Sequence, residues 1–212
     1  MSKRMQAPID ELFSPANAGA LRVALFAKFY EDLLRGYFTH RGYEVLPGKP
    51  RIFWKKIPLP VQVRSGYHAR LAAKLRQLQR HAAYCTPDGL FRRGNGYFVW
   101  EAKNWVQELS PSPFTKRVWD FAWLLARQVE YRRREYEISG FIVSWWDHEQ
   151  GMSDALAELR QCVAPVSVEL VITREVLQEC VGAGYEWYIA LVRNVRNNID
   201  QFFDVLLGHE ER

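Results

Sequence analysis

The spacing of apolar positions divides the 212-residue chain into short segments with distinct periods. From Asn17 to about His40, Leu21, Leu25, Phe29 and Leu33 recur near helical spacing, and Gly36 or Gly42 offers a stop, which predicts a long first helix. Gly42 to Leu46 reads as a short strand, after which Pro47, Gly48, Pro50, Pro58 and Pro60 break the chain into an irregular connection. Tyr67 to Tyr84 is helical again, with Leu71, Leu75, Leu78 and Ala82 on one side and Arg70, Lys74, Gln77 and His81 on another. Leu90 and Phe91 on one side, and Tyr97 to Trp100 on the other, flank the turn-forming Arg93-Gly94-Asn95-Gly96, which predicts a β-hairpin over 87–105. Beyond Pro113 the pattern predicts a helix to about Arg134, carrying Val118, Phe121, Leu125 and Val129, and then a buried strand from Ile138 to Trp145. A short helix (Ser153 to Val163), a strand (Val166 to Thr173) and a closing helix (Tyr185 to Leu207) complete the order. Such an order implies an α/β fold, a mixed central sheet flanked by helices. One domain over 1–212 is expected, with a core at about 17–173, a basic helical insertion at about 47–86 and a C-terminal helical extension at about 174–212.

Charge changes the picture more than composition does. The net charge of +5 is unevenly placed, because only 5 of the 29 Lys/Arg lie beyond residue 140, against half of the 24 Asp/Glu. Between Val45 and Pro87 there is no acidic residue, yet Lys49, Arg51, Lys55, Lys56, Arg64, Arg70, Lys74, Arg76 and Arg80 are all there. A stretch like that attracts phosphates, and DNA is the expected partner, with Arg70, Lys74 and Arg80 as contacts. Lys116 and Arg117, which open the helix after the hairpin, join them. The acidic, aromatic-rich end Tyr185–Phe203 is the surface expected to meet a second copy or a protein partner. No apolar run is long enough for a membrane span and the start lacks a secretion signal, so a cytoplasmic protein without membrane association is expected. Cys85, Cys162 and Cys180 are odd in number and widely spaced, and the five His are scattered, so neither disulfide nor zinc is expected. No phosphate-binding glycine loop of the motor type is present.

The hairpin carries the candidate chemistry. Alternation along Tyr97 to Lys103 puts Tyr97, Val99, Glu101 and Lys103 on one face and the apolar Phe98, Trp100 and Ala102 on the other, which is expected to meet the core. If Gly94-Asn95 are the central turn residues, Asp88 falls opposite Glu101; if Asn95-Gly96 are, it falls opposite Lys103. Either turn keeps the three residues on one face. Two carboxylates ~5 Å apart repel one another, so a cation belongs between them. A hard divalent ion such as Mg²⁺ suits carboxylate oxygens and can activate a water against phosphorus, while Lys103 can hold the phosphate or balance developing charge. Pro-Asp-Gly alone is an ordinary turn and Glu-Ala-Lys alone is common on exposed helices. Their joint placement at a hairpin is what carries the reading.

Pro87-Asp88, twelve intervening residues and Glu101-Ala102-Lys103 at a strand end resemble the PD-(D/E)XK, or restriction-endonuclease-like, nuclease superfamily. The resemblance covers the order from about Asn17 to Trp146. It implies a Mg²⁺-dependent DNA endonuclease, with Mn²⁺ able to substitute, in which Asp88, Glu101 and the carbonyl of Ala102 hold the metal and Lys103 assists water attack. By the same resemblance a further carboxylate comes from the first helix, Glu31 before Asp32. The chain departs from the pattern in its long basic insertion and in lacking a Gln-x-x-x-Tyr motif, since Gln128 is followed by Tyr131. The alternative function is a non-catalytic nucleic-acid-binding protein or a subunit of a larger DNA-processing complex. Trp105, just past the lysine, is the one tryptophan singled out as a base-stacking candidate.

Overall fold

The structure, a computed structural model, describes residues 15–60, 66–103 and 113–207. Within these, the side chains of residues 15–27, Lys103, Trp119 and residues 198–207 are not described. The elements are α1 (Pro15–His40), β1 (Glu44–Leu46), β2 (Ile52–Phe53), α2 (Gly66–His81), β3 (Tyr84–Cys85), β4 (Gly89–Arg93), β5 (Gly96–Lys103), α3 (Phe114–Arg117), β6 (Gln128–Tyr131), β7 (Arg134–Trp145), α4 (Met152–Val163), β8 (Ser167–Ile172), α5 (Thr173–Ala183) and α6 (Glu186–Leu207). They form two compact units, residues 1–36 with 177–212, and residues 37–176.

The unit of residues 37–176 is built on a six-stranded mixed sheet of order β1-β4-β5-β7-β6, with β8 also paired to β7. β4 runs antiparallel to both of its neighbours, β1 and β5, whereas β5, β7 and β8 are parallel. Parallel neighbours need both faces covered, and both are apolar here. On one face Leu90 and Val99 join the main core with Leu71 and Leu75 of α2, Phe114 of α3 and Leu159 and Val163 of α4. On the other, Phe91 stacks on Trp100 at 5.4 Å between centroids, and Phe38 and Tyr43 close over Phe91. An aromatic pair of that kind contributes about 1 kcal/mol beyond its buried area. α2 behaves as its periodicity requires, with Leu71, Ala72 and Leu75 buried and Arg70, Arg76, Arg80 and His81 exposed.

β5 meets β7 through a bulge: Tyr97 pairs with Ile138 but Phe98 with Gly140, leaving Ser139 extra. Ser139 Oγ accepts the Tyr97 N–H at 3.2 Å, and Gly140 lies flush against its neighbours. A Cβ there would come within 2.4 Å of Ser167 Oγ and 2.8 Å of Phe98 Cδ1, so glycine is required for this close approach.

Three expectations change. The helix expected from Pro113 to Arg134 is only the four-residue α3, followed by 3₁₀ turns at Val118–Asp120 and Ala122–Leu125 and then by β6. Val118, Phe121, Leu125 and Val129 are buried as their spacing implied, but so is every residue from Phe121 to Ala126. A run buried on all sides is not an amphipathic surface helix, and Phe121 at φ −82° and ψ 51° breaks the helical path. β7 is consequently longer than expected, starting at Arg134, and a hairpin joins it to β6. Finally, the face carrying Glu101 is not the face away from the core: Val99, two residues earlier, is fully buried in it.

In the unit of residues 1–36 and 177–212, α5 is an element the hydrophobic pattern did not separate from β8 and α6. Trp187 of α6 lies against Gly36 of α1, where a Cβ would come within 2.5 Å of its ring. Among the described residues no helix is long and apolar enough to cross a membrane.

Candidate active site at the strand ends

The β4–β5 register runs from Gly89 opposite Trp100 to Arg93 opposite Gly96, so Gly94 and Asn95 are the two turn residues. Gly94 adopts φ 58°, a left-handed conformation open to glycine at little cost. Continuing the register by one pair sets Asp88 opposite Glu101, the first of the two arrangements the sequence allowed.

Contacts agree with the count. The backbone ladder stops at Gly89, because Pro87 has no N–H to extend it, and side chains take over. The Asp88 N–H donates to Glu101 Oε2 at 3.2 Å, and the Ala102 N–H donates to Asp88 Oδ2 at 2.9 Å. Each carboxylate is thus tied to the backbone of the opposite strand. A hydrogen bond from a backbone N–H to a carboxylate is charge-assisted, and two such bonds fix the orientation of both groups. Buried Pro87 and Gly89 flank Asp88, whose side chain is only 18% exposed.

A third group enters from the connection after β1. Lys49 Nζ stands 3.4 Å from Asp88 Oδ1. Its segment is held on both sides: the Tyr131 hydroxyl donates to the Pro47 carbonyl at 2.7 Å, and Arg51 exchanges two backbone hydrogen bonds of 2.8 Å with Glu130. Gly48 at φ 95° makes the turn between these anchors. Sequence reading placed Lys49 in the basic run but missed its role at the carboxylate pair; the Gly48-Lys49-Pro50 turn was the available signal.

The pair lies where the parallel strands end. Lys103, Trp145 and Ile172 close β5, β7 and β8 in one row, and open α/β sheets bind ligands beyond such carboxyl ends. Past Trp145 the rim is firmly built. Glu149 accepts from Trp145 Nε1 at 2.8 Å and from the Phe114 N–H at 2.5 Å, linking the β7 end to α3. Asp147 pairs with Arg174 at 2.5 Å and His148 with Glu175 at 2.7 Å. The Arg174 hydrogen bond, and then the His148 N–H, hold the Asp147 carboxyl below its ordinary pKa.

The other expected site residues are placed as follows. Lys103 has its backbone in β5, while its side chain, like Arg64 and Trp105, lies outside the described residues. Glu31 and Asp32 belong to the other unit, where Asp32 is paired with Lys28. Arg70 and Arg80 are exposed on α2 and Lys74 is half-buried; Lys116 is exposed and Arg117 half-buried on α3. Among the described residues no three His, Cys, Asp or Glu side chains gather to hold a metal by themselves. A cation at Asp88 and Glu101 would therefore rest on two carboxylates, a main-chain carbonyl and water, a donor set that fits Mg²⁺, which keeps several of its waters. Comparisons with protein-family models, with curated proteins and with solved structures find no match to this chain.

Proposed function

We propose that the chain is a metal-dependent nuclease of restriction-endonuclease-like fold, hydrolysing phosphodiester bonds in DNA with Asp88, Glu101 and Lys103. The observation that carries this reading is the reciprocal tie between Asp88 and Glu101 at the carboxyl ends of the parallel strands. Two anionic groups fixed side by side are costly without a cation, and the surroundings supply the order that a cation site needs.

Asp88, Glu101 and the Ala102 carbonyl would hold the Mg²⁺, for which Mn²⁺ is expected to substitute. When bound, such an ion polarises a phosphoryl oxygen and lowers the pKa of a coordinated water. The chain's own residues do the rest. The backbone N–H groups of Asp88 and Ala102 keep the carboxylates in place through the reaction. Lys103 balances the charge that builds on the phosphate as the water oxygen bonds to phosphorus and the bond to the leaving oxygen breaks. Lys49 keeps a positive charge beside Asp88 in the free protein. The exposed cations of α2, with Lys116 and Arg117, track the DNA backbone, and α6 offers a surface to a second copy or a protein partner.

The test is incubation of the purified protein with supercoiled, linear, single-stranded and branched DNA, with Mg²⁺ and with EDTA. Cleavage that EDTA abolishes is expected. DNA binding without any cleavage in Mg²⁺ would replace this reading by the non-catalytic one.

A further inference from the structure

The hairpin that joins β6 to β7 has a two-residue loop, Arg132-Arg133, between the paired Tyr131 and Arg134. Both loop residues have positive φ, 51° and 63°, and no other described non-glycine residue does. Two-residue loops of this hand are normally occupied by Asn-Gly or Gly-Gly, because a side chain with a Cβ is strained there. The neighbouring β4–β5 hairpin uses glycine at its positive φ. Here the chain instead keeps two long cationic side chains, and a third follows at Arg134.

All three arginines are exposed, and none is ion-paired among the described residues. Elsewhere cations of the same unit do find acids: Arg92 pairs with Glu44, Lys56 with Glu135, and Arg174 with Asp147. The tip is also joined to the acid-free segment, since Arg51 is bridged to Glu130 of β6 and Lys56 pairs with Glu135 of β7. Arg132 lies over the Tyr131 ring at 5.3 Å from its centroid, but among the described residues no contact of this kind holds Arg133 or Arg134, and strain at so exposed a tip points to a function for the side chains that impose it.

We infer that the Arg132-Arg133-Arg134 tip is a second nucleic-acid contact, gripping the phosphate backbone of a DNA duplex away from the carboxylate site. Guanidinium forks pair with phosphate oxygens in bidentate fashion, and a two-stranded ribbon carries them out to the duplex. Val143, the partner of Glu101, is nine positions along β7 from Arg134, so the tip lies roughly 30 Å from the chemistry. The inference rests on the nucleic-acid part of the reading above.

Duplex binding is measured by fluorescence anisotropy at several salt concentrations in Ca²⁺, for the parent, R132N/R133G and R132K/R133K. The Asn-Gly variant relaxes the loop, so it is expected to fold at least as well, while binding weakens by about tenfold or more near 0.1 M salt and the log–log salt slope shallows by up to about 1.8. The lysine pair keeps the charge but not the bidentate fork, so it is expected to keep the parent's salt slope and to bind with an affinity between those of the parent and R132N/R133G. Affinity and slope in R132N/R133G equal to the parent's would overturn this inference alone. A parent that binds no duplex at all would overturn the nucleic-acid reading and the inference with it.

Discussion

Two hairpins of equal loop length do opposite things in this sheet. The β4–β5 hairpin has a relaxed tip, with glycine at its positive φ, and carries its charged residues at the open end, where Asp88 and Glu101 are tied to each other's strands. The β6–β7 hairpin carries its charge at the tip, on two arginines held in a conformation that disfavours them. One concentrates negative charge at a partly buried rim, the other positive charge on an exposed point. The lesson is that local backbone cost is informative when a relaxed solution to the same turn exists in the same molecule.

The largest effect expected concerns the carboxylates. D88N and E101Q keep the shape of each side chain but remove its charge, and each is expected to abolish Mg²⁺ binding in calorimetry together with cleavage. K103A should lose about 10²–10³ in rate with metal affinity nearly intact, as for loss of a group acting on developing charge. Wild-type cleavage by both carboxylate variants would leave the hairpin as a turn with a structural clasp.

Next comes the basic helix. Changing Arg70, Lys74 and Arg80 together to Gln should shallow the salt slope of duplex binding by up to about 2–3 units, while cleavage at saturating DNA largely survives. Slopes identical to the parent's would confine DNA contact to other surfaces, the arginine tip among them.

The two turns themselves give a smaller and opposite pair of shifts. G94A places a Cβ at φ 58° and should cost about 1–2 kcal/mol in urea denaturation. R132N/R133G removes two such residues and should stabilise by about 1 kcal/mol, less than the relief alone because glycine raises the entropy of the unfolded chain. Equal effects of the same sign would remove the contrast on which the comparison stands.

The smallest shift is a pH effect at the rim. The folded pKa of Asp147 is depressed, so its contribution to stability is present above the ordinary carboxylate pKa and is lost as pH falls through the lowered folded value. Acid titration of D147N should therefore show a slightly shallower decline of stability in that range than the parent does.

The candidate carboxylate pair was legible because everything that places it is local. Strand alternation, a Gly-Asn turn and a Pro that ends the ladder act within sixteen residues, from Pro87 to Ala102, and parity does the rest. The amphipathic face of α2 was legible for the same reason. The β6–β7 hairpin was not, because Arg132-Arg133 lacks any turn signal and the burial of Val118, Phe121, Leu125 and Val129 mimics a helical period.

By itself the sequence determined the period of each strongly patterned segment, the acid-free charge of residues 45–87 and the placement of Asp88 on one face with Glu101 and Lys103, opposite one or the other according to the turn. Tertiary structure decided the turn, covered both faces of β5, and buried Phe121 to Ala126 on every side, where a 3₁₀ turn stands in place of the expected α-helix. It also brought Lys49, 39 residues away in sequence, to Asp88. Local propensity is read from neighbours in sequence, whereas burial and long-range charge pairing depend on which elements the folded chain stacks together.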